Sequence, residues 1–427
     1  MRRDIAVIGA GPMGLALGYF LSKRGELVEI FEADDRVGGM SATFDFGGLP
    51  IERYYHFVCG PDRDLFRILD ELGLSEKLHW TDTRMGFYFK GQLHEWGNPK
   101  GLLAFPHLDL KTKLRCAAHV MRTKNIRKWA PFDKLEASEW LRSWLGDNGY
   151  EVLWRFLFEK KFYDLAYPIS AAWVASRIRR IALSRKSIFK EQMGYLEGGS
   201  EVLLERLRGE IEGSGGKIHL NMPVRKVLIE NGNVRGIATD DGEKAFDAVF
   251  STVPLPYLPD LAPGLPSAYL DKVRKIRNVG VVCVILKLKH PFTGNFWLNI
   301  NDPEIEIPGL IEYSNLRPLG ESILYAPFYM PPTHPKWPRP AEDFVAETVR
   351  CLEKIRPEFK PDWVLEGRGF RYQYAQPVCR PGLFHSIPPM ETGISGFFAA
   401  DTTHSYPEDR SINESVRIAG LLAEKVM

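Results

Sequence analysis

The sequence predicts an α/β fold made of two parts: a parallel-sheet domain assembled from discontinuous segments, and an α+β domain that joins a helical insertion to a mixed sheet. Three observations support this prediction. The chain opens with a strand–helix–strand pattern, its middle third carries apolar residues three and four positions apart, and its later part alternates around Asn-Gly and Asp-Gly turns. At 427 residues the chain exceeds the length at which one hydrophobic core keeps growing, so two domains are expected.

The first domain is expected to open with a βαβ unit. Apolar residues run together at 5–9 and 27–31, which is typical of buried strands, and helical spacing connects the two runs over 13–23. The end of the chain reads as strand, loop and helix. We predict that this domain, of the Rossmann type, is built from residues 1–60, 191–275 and 385–427.

The second domain is expected to combine two segments. Residues 61–190 form the helical insertion, in which stretches such as "DRDLFRILDELGL" carry apolar residues at helical spacing. Residues 276–384 form a substrate-binding sheet region, because 279–330 combine strand patterns with many aromatic side chains.

Composition excludes several classes of protein. The chain is 44% hydrophobic and 26% charged with a formal net charge of +2, so its overall charge does not favour nucleic acid, and no segment resembles a nucleic-acid module. No apolar run approaches the roughly 18 to 20 residues that a membrane-spanning helix requires. The five cysteines are odd in number and lack a C-x-x-C pair, which argues against disulfides or a metal site and favours a cytoplasmic location.

Two basic tracts stand out against this neutral balance. Residues 98–131 contain eight Lys or Arg and the single acid Asp109, and residues 165–190 contain six Lys or Arg and no acid. A basic helical insertion suits peripheral contact with an anionic membrane surface, or an anionic substrate such as a nucleotide sugar or a lipid-linked phosphate. A solvated helix face balanced by acids elsewhere in the fold is the alternative.

A glycine-rich turn follows the first predicted strand. The stretch "VIGAGPMG" places Gly9, Gly11 and Gly14 in G-x-G-x-x-G spacing. Gly9 can make the tight turn, Gly11 lets the backbone approach a pyrophosphate, and Gly14 lets helix and strand pack closely. Because a strand precedes this motif and a helix follows, with its N-terminus toward the anion, the motif predicts a dinucleotide site.

An acidic residue and a second glycine pair define the nucleotide further. Glu32 ends the second predicted strand, where its carboxylate can accept hydrogen bonds from a ribose and disfavours a 2′-phosphate. Gly38 and Gly39 follow six and seven residues later, with Ser41 close behind. A second small-residue turn beside the first is useful where a pyrophosphate and a ribityl chain run on past the first helix. The two glycine pairs therefore predict FAD as the cofactor.

The pattern from Glu32 through Arg36 to Gly38-Gly39, after G-x-G-x-x-G, resembles the flavin amine-oxidase-like superfamily, which includes protoporphyrinogen oxidases, phytoene desaturases, amine oxidases and UDP-galactopyranose mutases. The segment "GYLEGGSEVLLERL", with the strand that holds Val224, resembles that family's returning segment, where a backbone group meets adenine. The segment "FFAADTTHSYPEDRSINESVRIAG" resembles its closing motif. One residue departs from the pattern, since Ala400 stands where the family usually has glycine.

The resemblance implies that Asp401 binds the ribityl chain and that the N-terminus of the last helix faces the flavin, where it would stabilise negative charge that develops during reduction. Motif and resemblance together give one set of expected FAD-binding residues. The set comprises Gly9, Gly11, Pro12, Met13, Gly14, Glu32, Ala33, Arg36, Gly38, Gly39, Met40, Ser41, Val224, Asp401, Ser411, Ile412 and Asn413.

His56 is the first candidate for a side chain beside the flavin ring. It stands six residues before Asp62, with Tyr54 and Tyr55 adjacent. This arrangement is similar to UDP-galactopyranose mutases, in which a His precedes a short loop and an Asp-led helix and lies beside the flavin. An imidazole can donate a hydrogen bond or move a proton near neutral pH. A histidine with only a loop or capping role is the alternative.

Arg410 is the second catalytic candidate. Either it caps the last helix as an ion pair with Asp409, or it contacts the substrate or the flavin carbonyls. Lys160 and Lys161 stand at a helix end, where a solvated position is favoured over a place near the flavin. The strand region offers further candidates that line a pocket or fill the core: Asn299, Glu312, Tyr325, Tyr329, Tyr374 and Gln376.

These observations predict an FAD-dependent oxidoreductase whose flavin accepts hydride from a small or lipid-like substrate with an alcohol, an amine or a saturated C–C bond. Two alternatives stay open. One is a non-redox nucleotide-sugar isomerase resembling UDP-galactopyranose mutase, which His56 and the basic tracts favour. The other is a flavin-binding protein without catalysis. No pattern indicates an oligomeric state.

Overall fold

The strands are distributed along most of the chain and belong to several separate sheets. The computed structural model describes residues 2–425. In chain order its strands are β1 (Asp4–Ile8), β2 (Leu27–Phe31), β3 (Thr43–Asp45), β4 (Pro50–Glu52), β5 (Leu78–Thr83), β6 (Met85–Phe89), β7 (Gln92–Trp96), β8 (Glu191–Leu196), β9 (Lys217–His219), β10 (Lys226–Glu230), β11 (Asn233–Thr239), β12 (Gly242–Ala245), β13 (Ala248–Ser251), β14 (Asn278–Leu288), β15 (Trp297–Ile300), β16 (Gly309–Glu312), β17 (Ser322–Met330), β18 (Val364–Pro377) and β19 (Phe397–Ala399).

The helices are most frequent between residues 99 and 213. In chain order they are α1 (Pro12–Lys23), α2 (Arg63–Glu71), α3 (Pro99–Ala104), α4 (Leu110–Lys124), α5 (Ala130–Asp133), α6 (Ala137–Tyr150), α7 (Phe156–Phe162), α8 (Ala171–Leu183), α9 (Glu201–Gly213), α10 (Leu258–Leu261), α11 (Ser267–Lys275), α12 (Ala341–Ile355), α13 (Leu383–Ser386) and α14 (Ile412–Ala423).

A five-stranded sheet in the order β19-β13-β1-β2-β9 is parallel throughout. Its central strands are apolar runs with both faces buried, as parallel sheets covered by helices require. Helix α1 packs against α9 and α14 over this sheet. The predicted Rossmann-type α/β fold is therefore confirmed, and the opening βαβ unit lies within one residue of the predicted bounds.

A larger mixed sheet has the order β18-β14-β17-β16-β15-β6-β7, with only the β15–β6 pairing parallel. Side chains of β14 alternate between two cores, as the period of a strand dictates. Val281 and Cys283 join the core that contains the helical insertion, whereas Val282 and Val284 join the core under α12. The sheet thus presents one face to the insertion.

The segment 61–190 is less purely helical than the sequence suggested. It contains β5, β6 and β7, and the last two extend the mixed sheet. The β6–β7 hairpin turns at Lys90 and Gly91, both at positive φ, a conformation that suits a two-residue hairpin loop. The helical spacing on either side concealed this short aromatic hairpin. The division into the two domain units remains a prediction.

The helices of the insertion pack on the inner face of the mixed sheet. Phe158 and Phe162 of α7 and Trp173 of α8 are buried in the same core as β14 and β17. Within residues 2–425 no helix is both long enough and apolar enough to cross a membrane.

Candidate active site

The first glycine turn leaves open space where the sequence places a pyrophosphate. Gly9 has φ +97°, in the left-handed region that favours glycine. A Cβ on Gly14 would lie 1.9 Å from the carbonyl oxygen of Gly9, so only glycine allows α1 to start this close to β1. A Cβ on Gly11, in contrast, would meet no atom within 4 Å. Gly11 therefore faces a cavity, and its missing side chain serves whatever occupies that cavity.

The second glycine turn lies directly against the first. The backbone N–H of Gly38 donates to the carbonyl oxygen of Ala10 at 2.8 Å, and Gly38 has φ +116°. A Cβ on Gly39 would lie 3.4 Å from the Cα of Gly11. Gly39 lines the same cavity as Gly11. The two turns thus form one small-residue surface, as the sequence predicts for an extended nucleotide.

Glu32 is held at the end of β2 by two backbone N–H groups. Its carboxylate accepts hydrogen bonds from Ala10 at 2.7 Å and from Asp34 at 2.9 Å. These bonds fix the side chain beside the glycine turn, where it lines the cavity. Each carboxylate oxygen retains a lone pair for a further donor such as a ribose hydroxyl.

The N-terminus of α14 forms the opposite wall. Ser411 caps the helix, since its hydroxyl accepts the N–H of Glu414 at 3.2 Å. The N–H groups of Ile412 and Asn413, in the first turn, have no intrahelical acceptor, so this end carries partial positive charge toward the cavity. Asp401 lines the cavity nearby and accepts the N–H of Leu255 at 2.8 Å.

The predicted nucleotide residues divide into two groups. Three do not line the cavity: Gly14 and Gly38 act through close packing, and Arg36 turns away to pair with Asp35 and donate to the carbonyl of Thr43. Ala400, the departure from the family pattern, is fully buried in the core of the parallel sheet and does not line the cavity. The others line the cavity: Gly9, Gly11, Pro12, Met13, Glu32, Ala33, Gly39, Met40, Ser41, Val224, Asp401, Ser411, Ile412 and Asn413.

The cavity has a volume of about 1630 Å³ and runs from the glycine turns, past the mixed sheet, into the helical insertion. A single ligand typically occupies a site of about 300–1,000 Å³. The volume therefore accommodates a large cofactor together with a second molecule. Beyond the nucleotide residues the walls are mostly apolar and aromatic, including Phe87, Trp96, Leu153 and Trp154.

His56 lines the central part of this cavity. One ring nitrogen, Nε2, lies 3.2 Å from the hydroxyl of Ser41, whereas Nδ1 is buried without a hydrogen-bond partner among the described residues. Burial lowers the pKa of His56 below its ordinary value, and the nearby Glu52 opposes this shift. The imidazole is thus neutral near pH 7, with one nitrogen free to accept or donate a proton.

Arg410 also lines the cavity and does not pair with Asp409. It donates to the amide oxygen of Gln376 and, at 3.3 Å, to the hydroxyl of Tyr329. Asp409 pairs instead with Arg177. The interpretation of Arg410 as one half of a capping ion pair is therefore wrong, because Ser411 caps α14 and the chain turns the two neighbouring charges in different directions.

Lys161 overturns the expectation of a solvated helix end. It lines the cavity with its Nζ 4.8 Å from the ring centre of Tyr329 and 5.1 Å from that of Trp173. No carboxylate of residues 2–425 lies within ion-pair distance of it. Burial and the charge of Arg177 lower the pKa of Lys161 well below its ordinary value. Lys160, its neighbour, points away and donates to the carbonyl of Asp302.

Some of the candidates from the strand region line the cavity, and the others have structural partners elsewhere in the fold. Asn299, Tyr329 and Tyr374 line the cavity. The remaining three have structural partners: Glu312 accepts backbone N–H groups of the loop after β14, Tyr325 donates to a backbone carbonyl of β4, and Gln376 lies between Asp409 and Arg410.

The comparisons with known proteins agree with this arrangement. The family model of flavin-containing amine oxidoreductases matches residues 14–420. The chain belongs to this family. FAD is its cofactor, as predicted.

Individual relatives of the flavin-containing amine oxidoreductase are distant. A candidate flavin-containing monoamine oxidase, AofH of Mycobacterium tuberculosis, is 25% identical over 262 residues, and this match covers 59% of the chain but only 57% of that relative. The 15-cis-phytoene desaturase of Synechococcus elongatus is 22% identical over 400 residues, which covers 83% of the chain and 80% of the relative. A candidate protoporphyrinogen oxidase from Exiguobacterium shares the fold, with a TM-score of 0.77, 20% identity and coverage of 100% and 99%.

The cavity walls of this flavoprotein suit FAD. The open space at Gly11 and the turn at Gly39 would hold the pyrophosphate, Glu32 the adenosine ribose and Asp401 the ribityl chain, with the positive end of α14 toward the ring. When bound, FAD supplies an acceptor for two electrons.

Sequence reasoning overlooked the contribution of α8. Trp173, Arg177 and Arg180 line the cavity, and their spacing at i, i+4 and i+7 places them on one helix face. Arg177 pairs with Asp409, and Arg180 pairs with Asp62 at 2.7 Å. The shared helix face was a signal in the sequence, but the acids that pair with it lie more than a hundred residues away.

Proposed function

We propose that this chain is an FAD-dependent oxidoreductase that removes a hydride from an apolar or lipid-like substrate bearing an alcohol, an amine or a saturated C–C bond. The observation that carries this proposal is the single cavity that joins the nucleotide residues to an apolar compartment in the insertion. An apolar wall excludes water and binds an apolar molecule through burial of its surface.

A hydride transfer leaves a proton on the substrate that a base on the chain must accept. His56 and Lys161 are the candidates for this base, since both line the cavity. The buried Nδ1 of His56 has no hydrogen-bond partner among the described residues, and burial lowers the pKa of Lys161 well below its ordinary value, which favours the uncharged amine. The substrate would give a hydride to the flavin and a proton to one of these groups, so that two electrons and two protons leave it in total. Arg410 and Tyr329 would orient the polar end of the substrate.

Anaerobic reduction of the bound flavin tests the proposal. The flavin of the holoenzyme should bleach with at least one member of a panel of lipid-like alcohols, amines and compounds with a saturated C–C bond. The rate of flavin reduction should depend on His56 or Lys161. A panel in which no compound bleaches the flavin, although FAD is bound, would favour a flavin-binding protein without catalysis.

A non-redox nucleotide-sugar isomerase is the second candidate function. The specific observation in its favour is a group of arginines on the cavity wall: Arg410 has no ion-pair partner among the described residues, and Arg177 and Arg180 line the same cavity. Such a wall could hold a sugar diphosphate. Turnover of a nucleotide sugar only after prior reduction of the flavin would support this function over the first.

A further inference from the structure

The cavity opens to solvent between α4 and the loop 184–190. Met121 and Ile188 line the cavity and are at the same time exposed, as are Lys124 and Lys186. These four residues therefore form its rim, which is apolar and cationic with no acidic side chain among them.

Helix α4 has an inverted distribution of side chains. Its buried residues are Thr112, His119 and Thr123, with His119 packed 4.6 Å from the ring of Trp140. Leu110 and Leu114 are exposed and, with Met121, fall within about 40° of one another around the helix axis at 3.6 residues per turn. This apolar stripe lies opposite the buried face, whereas a helix that faces water carries polar residues there.

The loop 184–190 presents two more apolar side chains and is firmly held. Arg185 donates to the carbonyl oxygens of Ser187 at 3.2 Å and Ile188 at 3.0 Å, and the hydroxyl of Ser187 accepts the N–H of Phe189 at 3.2 Å. Ile188 and Phe189 are thus exposed by a defined loop conformation. We name the exposed apolar set of this region the rim surface. Its members are each between 57% and 64% exposed: Leu103, Leu110, Leu114, Met121, Ile188 and Phe189.

Cations flank the apolar stripe of α4 on both sides. Lys111 and Arg122 lie on one side of Leu114 around the helix axis, and Lys113 and Lys124 lie on the other. No carboxylate of residues 2–425 pairs with these four side chains. An isolated exposed leucine needs no explanation, but an apolar stripe bordered by unpaired cations at the rim of a cavity marks an interaction surface.

We propose that the rim surface docks on an anionic lipid bilayer and that the cavity takes its apolar substrate from that bilayer. The leucine, methionine, isoleucine and phenylalanine side chains enter the interface while the flanking cations meet anionic headgroups. The position of the rim lets an apolar molecule pass from lipid to cavity without crossing water. The second half of this inference rests on the proposed oxidoreductase function; the first half does not.

Vesicle binding of the FAD-loaded protein tests the docking. Wild-type protein should sediment with mixed phosphatidylcholine–phosphatidylglycerol vesicles, less with pure phosphatidylcholine vesicles, and less as salt screens the cations. The variant Leu110→Ser/Leu114→Ser/Phe189→Ser, called the rim variant below, changes no residue of the cavity wall. It should weaken binding by about tenfold or more, because binding scales with buried apolar area. The variant Lys111→Ser/Lys124→Ser should weaken it by about 25-fold, or roughly fivefold per cation.

A matched variant controls for general loss of surface apolarity. Leu93→Ser/Leu365→Ser/Leu421→Ser changes three exposed leucines outside the rim surface and should bind vesicles like wild type. Equal binding by wild type and the rim variant would overturn the proposal. Absence of wild-type binding to either vesicle would also overturn it, even if the protein then captured an acidic protein partner.

Substrate delivery then separates docking from function. An apolar substrate carried in anionic vesicles should reduce the flavin of the rim variant about tenfold more slowly than that of wild type, while the same substrate in detergent micelles reduces both equally. Vesicle binding without flavin reduction by any substrate would contradict the oxidoreductase and leave docking in place. Reduction at equal rates from vesicles would contradict bilayer delivery.

Discussion

The two halves of the cavity are built by different means. At the nucleotide end, backbone groups form the surface: glycine turns leave space, N–H groups fix the carboxylate of Glu32, and the N-terminus of α14 supplies partial positive charge. At the substrate end, side chains from distant segments converge, with Lys161, Arg410 and Tyr329 drawn from α7, the segment before α14 and β17. A backbone site is local in sequence, and a side-chain site is not.

We expect the largest effect, a loss of FAD affinity, from a substitution at Gly11 in the nucleotide half of the cavity. Because a Cβ on Gly11 meets no protein atom, Gly11→Val should leave the fold intact yet place a branched side chain where the pyrophosphate lies. We expect FAD affinity to fall by more than about 10³-fold, measured by flavin retention and titration of the apoprotein.

Two glycine variants sharpen this test. Gly14→Ala would push a methyl group against the carbonyl of Gly9 and should lower the melting temperature even without FAD, whereas Gly11→Val should not. Gly209→Val, at a helical position with no atom within 4 Å, should retain FAD. Normal FAD binding by Gly11→Val would show that the pyrophosphate lies elsewhere.

The next effect concerns Glu32. Glu32→Ala should remove the charge-assisted hydrogen bonds to the ribose, on the order of 2–4 kcal/mol, and raise the FAD dissociation constant by roughly 30-fold or more. Glu32→Gln keeps the side-chain shape and should show a smaller loss. An unchanged dissociation constant in Glu32→Ala would place the ribose away from β2.

The substrate half is tested through its two bases. His56→Ala and Lys161→Met should both retain FAD, since neither residue belongs to the glycine turns, and the variant that removes the operating base should slow substrate-driven flavin reduction by about 10²-fold. Lys160→Met and His107→Ala, which change neighbouring or similar side chains outside the cavity wall, serve as controls. Unaltered reduction rates in both His56→Ala and Lys161→Met would remove both from the chemistry.

The pH profile distinguishes the two bases. Burial places the pKa of Lys161 well below its ordinary value, so the amine gains a proton and ceases to act as a base only as pH falls through that lowered pKa. If Lys161 is the base, the rate of flavin reduction should fall at low pH in wild type, and His56→Ala should keep this limb. If His56 is the base, Lys161→Met should keep it.

These two halves also differ in what the sequence could predict. The turns at Gly11 and Gly39 lie within thirty residues of each other, and their spacing predicted both the fold and FAD. Lys161 looked like a solvated helix end because its partners, Tyr329 and Trp173, are brought to it by the packing of α7 on the mixed sheet. The β6–β7 hairpin was missed for a similar reason, since its pairing partner β15 lies about two hundred residues later.

We expect the smallest effect, a change in the pH dependence of stability, at Glu408, which precedes α14. Burial, with the nearby charge of Glu414, raises the pKa of Glu408 to about 7, whereas in the unfolded chain it lies near 4.5. Between these values the folded protein holds a proton that the unfolded chain has lost, so stability should decrease as pH rises from about 4.5 to 7 and stay low above it.

Glu408→Gln removes the ionisable group and should flatten this dependence. At pH 8 it should raise the free energy of unfolding by on the order of 2 kcal/mol, and near pH 4 by little. Urea denaturation across this pH range measures both, with Glu424→Gln on the outer end of α14 as the control. Parallel pH profiles of wild type and Glu408→Gln would show that Glu408 is ionised in the folded protein without penalty, because the nearby Arg179 and Arg180 of α8 offset its charge.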